Sequence, residues 1–300
     1  MPKQDVIPFD FLFETLLPNS KYLKVGVIED DRSRKEIVPL LRFFSSTSGE
    51  EYTSIDNYIG NMKDAQKAIY YVTGDGKAKT AMSPVIEKLT SRGFEVLYMT
   101  EPLDEICIES VRNYKDFDLV DASKEGLKLD DKDEDIAKEE EKLNEEYASV
   151  REYLEATLAG KVQKVTVSSL LTDSPAALLQ GAYGMSPTMQ NYMEAQNVAA
   201  GGGGGMPGLN QAILEINPNH NIVKDLDRMV KADRDSEETK NFAVLMYDIA
   251  GMSSGYKVED IKDFTERVMA LMSSKARDDI QDAVVEDEDD IREVEAEIVE

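Results

Sequence analysis

Few residues in this chain have types suited to chemistry, and each group can be judged on its spacing. Cys107 and His220 are the only cysteine and histidine, so a thiolate–imidazole pair requires these two to meet. Cys107 lies in an apolar helical pattern and His220 in the turn-like Asn217-Pro218-Asn219-His220, which argues against such a pair. One histidine and one cysteine also fall short of the usual ligand set for zinc. Gly74-Asp75-Gly76-Lys77 follows the β-rich run Ala68-Ile69-Tyr70-Tyr71-Val72 and precedes a helical segment, an order that can cradle phosphate on backbone N–H groups. The Walker spacing is missing, Ala78 stands where a hydroxyl would hold magnesium, and Lys79 takes the third glycine position of the dinucleotide fingerprint. A plain strand-to-helix turn is the first reading. A small α/β nucleotide- or phosphate-binding enzyme using the Gly74–Gly76 turn is the alternative.

The third group is of another kind. Met185, Met189, Tyr192 and Met193 fall at i, i+4, i+7 and i+8, a narrow stripe on one short helix. On pattern alone such a stripe fits a core. The five consecutive glycines Gly201 to Gly205 tilt it toward a partner-facing surface, because a segment joined to so flexible a tether is not locked in on both sides. Unbranched, polarizable thioethers adapt to varied partners.

The elements that must position these residues follow from periodicity. The stretch 66–128 reads strand–helix–strand–helix–strand, which implies a small parallel sheet with right-handed crossovers. In it Ser83 and Pro84 open a helix and Gly93 closes it. Upstream, Tyr22, Leu23, Val25 and Val27 form an alternating run, residues 34–45 read as a helix, and Thr53 with Asp56 makes a capping-box start. Downstream, Val162, Val165 and Val167 mark a half-buried strand, residues 170–182 another strand pairing back, and Leu214 to Pro218 a strand end and turn. Asn221 to Ala232 is a helix. The stretch 241–276 is a helical hairpin turning at Ser253-Ser254-Gly255. Phe242, Leu245, Met246, Ile249 and Met252 stripe its first helix; Ile261, Phe264, Val268, Leu271 and Met272 stripe its second. So late in the chain, that face needs an upstream domain or a second copy of itself, and the pattern fits both.

Composition bounds the partners. A formal net charge of −26 argues against nucleic acid and anionic membranes, whose phosphates need basic patches. No apolar run approaches a membrane span. The lone cysteine fits a reducing compartment, and the start Met-Pro-Lys-Gln reads as neither signal nor transit peptide. The acidic tail after Ala276, with Glu286 to Asp290 at its centre, reads as solvated and disordered.

Several stretches resemble the heat shock protein 90 chaperones. The most distinctive is Gly93-Phe94-Glu95-Val96-Leu97-Tyr98-Met99-Thr100-Glu101-Pro102-Leu103-Asp104-Glu105. Lys24-Val25-Gly26-Val27-Ile28-Glu29-Asp30, Gln66 to Gly74, Lys124-Glu125-Gly126-Leu127, Asp173-Ser174-Pro175, Met193-Glu194-Ala195-Gln196 and Glu215 to His220 keep the same order. The resemblance runs from about Lys21 to Met272, and its phrasing is most similar to plastid members.

It implies an α/β and α+β fold with these parts: 1–55, the helical end of a large middle-domain part; 56–128, a small α/β unit; 129–142, a charged linker; 143–276, a C-terminal dimerisation domain; 277–300, an acidic tail. It implies client contact through Met185, Met189, Tyr192 and Met193. Dimerisation falls to Phe242, Leu245, Met246, Ile249, Phe264, Val268, Leu271 and Met272. The nucleotide-binding domain and catalytic arginine loop of the family do not match any part of this sequence, so the chain is expected to be no enzyme and to carry no cofactor; ATP and magnesium belong to full-length members. Expected partners are a second copy, unfolded clients and co-chaperones, in the chloroplast stroma or cytoplasm. The resemblance departs at Gly184-Met185-Ser186, where the family has Gly-Trp-Ser, and at Asn191 and Glu194, where it has basic residues. An acidic scaffold acting only through its tail is a third possibility.

Overall fold

The structure, a computed structural model, describes residues 20–127, 129, 141–168, 170–181, 184–199 and 211–273. The charged spacer over 130–140, the glycine run and the acidic tail lie outside the described residues. The chain forms two compact units, Met1–Tyr256 and Lys257–Glu300.

In the first unit the order of elements is α1 (Ser20–Glu29), α2 (Arg34–Ile37), β1 (Phe44–Ser45), α3 (Ile55–Asn61), β2 (Ile69–Thr73), α4 (Lys77–Ala81), α5 (Glu87–Ser91), β3 (Val96–Met99), α6 (Pro102–Val111), β4 (Asn113–Tyr114) and β5 (Phe117–Asp121). A helical segment over 141–146 leads into α7 (Ala148–Thr157). Then come β6 (Val162–Val167), β7 (Ala176–Leu179), α8 (Pro187–Ala199), β8 (Ala212–Ile216), α9 (Asn221–Ala232) and α10 (Glu237–Ser253). The fold is α/β and α+β. One sheet has the order β1-β3-β2-β5-β4, the other β6-β8-β7.

Strands β2, β3 and β5 are parallel, as the strand–helix alternation implies. Every residue of β2 and β3 is buried, the signature of strands covered on both faces. Their alternation splits the core in two. Ile69, Tyr71, Leu97 and Met99 join Val27, Cys107 and Ile108 of α1 and α6. Tyr70, Val72, Val96 and Tyr98 join Val85 and Leu89, and also Ala177, Leu179 and Ile213 of the second sheet. The opposite face of that sheet, with Val165, Leu178, Leu214 and Ile216, packs under Val150 and Leu154 of α7, Val223 and Leu226 of α9, and Met246 of α10. One face of each sheet is thus roofed by helices, and the other faces share a single apolar cluster with Val85 and Leu89.

Three local readings change. Residues 20–29 are helical, not extended: Leu23, Lys24, Val27 and Ile28 turn inward at helical spacing. Pro39 cuts the helix expected over 34–45 into a four-residue turn and a 3-10 turn over Val38–Leu40, since proline lacks the N–H and crowds the preceding turn; Phe44 is then free to pair with Tyr98. The strand expected to pair back onto β6 instead pairs antiparallel with β8, which sits between them parallel to β6. Elsewhere Ser54, not Thr53, caps α3 by accepting from Asn57 N, and the helix-closing Gly93 takes φ +73, the left-handed conformation that glycine adopts freely.

The outer edges of the second sheet are engaged by side chains. On β6, Arg151 Nε donates to Val165 O at 3.0 Å, Val165 N to Glu155 at 2.9 Å and Val167 N to Asn144 at 3.2 Å. On β7, Leu178 N donates to Ser254 Oγ at 2.9 Å.

Glu87 ties the loop before β7 to the first sheet's lobe. Its carboxylate accepts from Thr172 N (2.8 Å), Asp173 N (2.9 Å), Ser174 N (3.3 Å) and the Ser174 hydroxyl. Burial alone would raise its pKa, but the Ser174 hydroxyl and these N–H donors outweigh it and hold the carboxyl below its ordinary value. A depressed carboxyl contributes stability above its unfolded pKa that is lost as pH falls through the folded one. Glu87→Ala is expected to destabilise the chain by about 1.5–3 kcal/mol at neutral pH, measured by urea unfolding. The deficit should shrink as pH falls below about 4, where the wild-type carboxylate also protonates.

Candidate functional site

Helix α8 starts from a built anchor. Ser186 is fully buried, and Pro187 behind it takes the first helical position, where its missing N–H costs nothing. The Ser186 hydroxyl accepts from Met189 N at 3.0 Å and donates to the Glu105 carboxylate on α6. Glu105 is itself buried; desolvation pushes its pKa up, and only then does the Ser186 bond draw it part of the way back. Gln190 Nε2 closes the turn onto Met185 O at 2.9 Å.

Of the four predicted contact residues, Met189, Tyr192 and Met193 lie on the helix and Met185 in the turn just before it. Met185 is 39% exposed, Tyr192 and Met193 each 44%, and Met189 is half-buried between them. Glu194, Ala195 and Gln196 beyond them are exposed. Ser186 and Glu105 were not singled out from sequence. Ser-Pro before a helical run is a readable cap, but the carboxylate it meets is 81 residues away.

The hairpin residues divide. On α10, Met246 belongs to the core under the second sheet, with Phe242 packed against it. Leu245 is 7% exposed, whereas Ile249 and Met252 are open at 47% and 52%. The helix lies close on the sheet at Gly251, where a Cβ would come within 3.4 Å of Leu178 Cδ1. In the second unit a helix, α11, covers residues 261–273 of those described. Asp260 caps it by accepting from Asp263 N at 3.0 Å. On α11 Phe264, Val268 and Leu271 are half-buried, while Ile261, Met269 and Met272 are exposed.

The remaining candidates hold no opening for chemistry. Cys107 is sealed in the core between α6 and the first sheet, where burial pushes its thiol up to about 12. His220 caps α9, its Nδ1 accepting from Ile222 N at 3.2 Å. At Gly74 a Cβ would meet Thr80 Oγ1 at 2.2 Å, and that hydroxyl donates to Gly76 O at 2.7 Å. The turn is thus filled from within. Its lysines are engaged too, Lys77 with Glu50 at 2.7 Å and Lys79 with Asp75 at 2.6 Å. A cleft of about 320 Å³ lies beside α6 and β5, lined by Tyr71, Glu109, Arg112 and Lys124 among others.

Comparison with known proteins decides the family. The family model described as Hsp90 protein matches residues 9–300. The chain belongs to the Hsp90 family. Among its Hsp90 relatives, heat shock protein 90-5, chloroplastic, of Arabidopsis thaliana is 40% identical over 254 residues, covering 84% of this chain and 32% of the relative. Heat shock protein 90-6, mitochondrial, of the same plant is 36% identical over 256 residues, covering 84% and 31%. An endoplasmin homolog of Catharanthus roseus is 36% identical over 280 residues, covering 92% and 33%. The chain thus spans about a third of the length of the curated relatives it matches. The solved middle domain of a Plasmodium falciparum heat shock protein aligns at 41% identity over 38% of this chain and 47% of that one, with a TM-score of 0.37.

The anchor makes its own prediction. Ser186→Ala leaves Glu105 buried without its hydroxyl donor, at a cost of about 1–3 kcal/mol near pH 7. Because burial holds this carboxyl above its unfolded pKa, the folded state favours the proton, and the penalty grows as pH rises through that range. Urea unfolding should therefore show a smaller loss at pH 4 than at pH 7.

Proposed function

We propose that this chain is the part of an Hsp90 chaperone that pairs two copies and meets unfolded client segments, and that it does not hydrolyse ATP by itself. What carries the reading is the exposure of Tyr192 and Met193 on a helix whose base is fixed by the buried Ser186–Glu105 bond, and of Met185 in the turn leading into it. An apolar, adaptable face on a rigid mount suits partners of varied sequence. Ile249 and Met252 are exposed on α10, and separately Met272 is exposed on α11, and each helix offers these side chains to a second copy of the chain. The domain limits proposed are those the family resemblance implies, with dimerisation assigned to 143–276 and client contact to α8. Co-chaperones are further partners of this reading. The chloroplastic name of one Arabidopsis relative supports a plastid setting.

The self-filled Gly74 turn supports the absence of nucleotide chemistry in this chain, and titration calorimetry with ATP, ADP and NAD should give no heat. Assembly is tested by light scattering after size exclusion. The wild type is expected to be a dimer, and Ile249→Asp with Met272→Asp should weaken it by about a hundredfold or more, since each buried apolar side chain is worth roughly 1.5–3 kcal/mol. A double variant that stays dimeric at nanomolar concentration would sink the assignment. Suppression of aggregation of a heat-unfolded protein tests client contact, with Met193→Asp expected to reduce it.

A further inference from the structure

The methionines of this chain differ sharply in access. Met99 and Met246 are sealed at 0% and 4% exposure, while Met185 and Met193 present 39% and 44% of their surface and Met189 is half-buried between them. Met189 and Met193 are one turn apart on α8, and Met185 stands in the turn that leads into it, two residues before Pro187, so three thioethers cluster along the start of this helix. The sequence of α8, Pro187–Ala199, holds a single charge, Glu194. The stickiness of that face for apolar segments therefore rests on these sulfurs and on Tyr192.

We infer that α8 is a reversible oxidation switch, in which a hydroperoxide converts Met185, Met189 and Met193 to sulfoxides and so releases bound apolar segments. This rests on the client-contact reading of α8 given above. In each step a sulfur lone pair attacks the terminal peroxide oxygen. The O–O bond breaks and an S–O bond forms; sulfur loses two electrons, and the peroxide leaves as water or an alcohol. Reversal takes a dithiol-using sulfoxide reductase, which removes the oxygen as water while its thiols become a disulfide. The product side chain is polar and accepts hydrogen bonds, the opposite of what an apolar client segment seeks.

The geometry directs the oxidation toward adhesion, not toward unfolding. The helix is held by the Ser186 and Glu105 contact and by the Gln190 bond to Met185 O, all of them oxygen and nitrogen groups that peroxide leaves unchanged. The sealed Met99 and Met246 keep the cores out of reach. Met82 is more exposed still, at 80%, but stands apart from this face in sequence and serves as an internal control. Met252 and Met272, at 52% and 68%, lie on the proposed assembly stripe, so their oxidation would be read as monomerisation, a separate signal.

The test uses the full chain, hydrogen peroxide in graded doses, mass-spectrometric mapping of each sulfoxide, and fluorescence binding of reduced carboxymethylated lactalbumin, a permanently unfolded probe. Affinity should fall at least tenfold in step with sulfoxide at Met185 and Met193, with Met99 and Met246 unmodified. Treatment with the two sulfoxide reductases, one for each epimer, should restore it. Met82→Leu should leave the dose response unchanged. In Met185→Leu/Met189→Leu/Met193→Leu, peroxide should shift the affinity by less than twofold from whatever level leucine sets. The inference is overturned if sulfoxide fills Met185 and Met193 while affinity holds, if the loss tracks Met82 instead, or if the leucine variant remains as peroxide-sensitive as the wild type. Failure of the untreated wild type to bind the probe removes the client-contact reading along with it. Binding that peroxide does not touch removes the switch alone.

Discussion

Everything else in the first unit depends on the apolar layer that its two sheets share with Val85 and Leu89. Tyr70, Val72, Val96 and Tyr98 supply one side, and Ala177, Leu179 and Ile213 the other. Because this layer consumes one face of each sheet, the opposite faces must be roofed by helices, and both are. Close packing of this kind resists deformation, so the stretches left free to meet a partner are those outside the layers. The base of α8 is tied to α6, next to the first sheet, and its exposed stripe extends away from that tie.

Carboxylates peg these layers together, and two of them show opposite electrostatics for a countable reason. Half-buried Glu87 and buried Glu105 each lose hydration. Glu87 recovers it from three backbone N–H groups and two hydroxyls, and its acidity rises. Glu105 receives one hydroxyl bond and sits near Asp121 and Glu109, so its acidity falls. Asp104 makes a third peg, from α6 to the buried ammonium of Lys24 on α1, with burial raising its pKa ahead of the lowering by Lys24. Such pegs specify which surfaces meet more than they add net stability.

The sequence carried the parallel strands and the late helices well, because their apolar runs are long enough to show a period. Asn221–Ala232 agrees to the residue. It misled where one residue outweighed the pattern. Tyr22 and Val25 made α1 look extended although both are exposed, and Pro39 ended a helix whose apolar spacing continued past it. The central place of β8 was hidden because strand order is set by contacts between distant segments. The methionine stripe of α8 was visible as a stripe, but its period alone did not tell exposure, since core and contact faces share one period; the neighbouring glycine run was the signal that leaned toward a surface. Its anchor was invisible for the same reason as strand order: Ser186 and Glu105 are near only in space.

A short open sheet is a template as well as a scaffold. Any strand with bare N–H and C=O groups along its rim invites a passing chain to add itself as the next rung, whatever its side chains. Asn144, Arg151 and Glu155 take those positions on β6, and Ser254 takes one on β7. If α8 meets unfolded polypeptide as proposed, this bars the backbone-to-backbone zippering by which a guest would become a permanent part of its host. It leaves side-chain adhesion, which can let go.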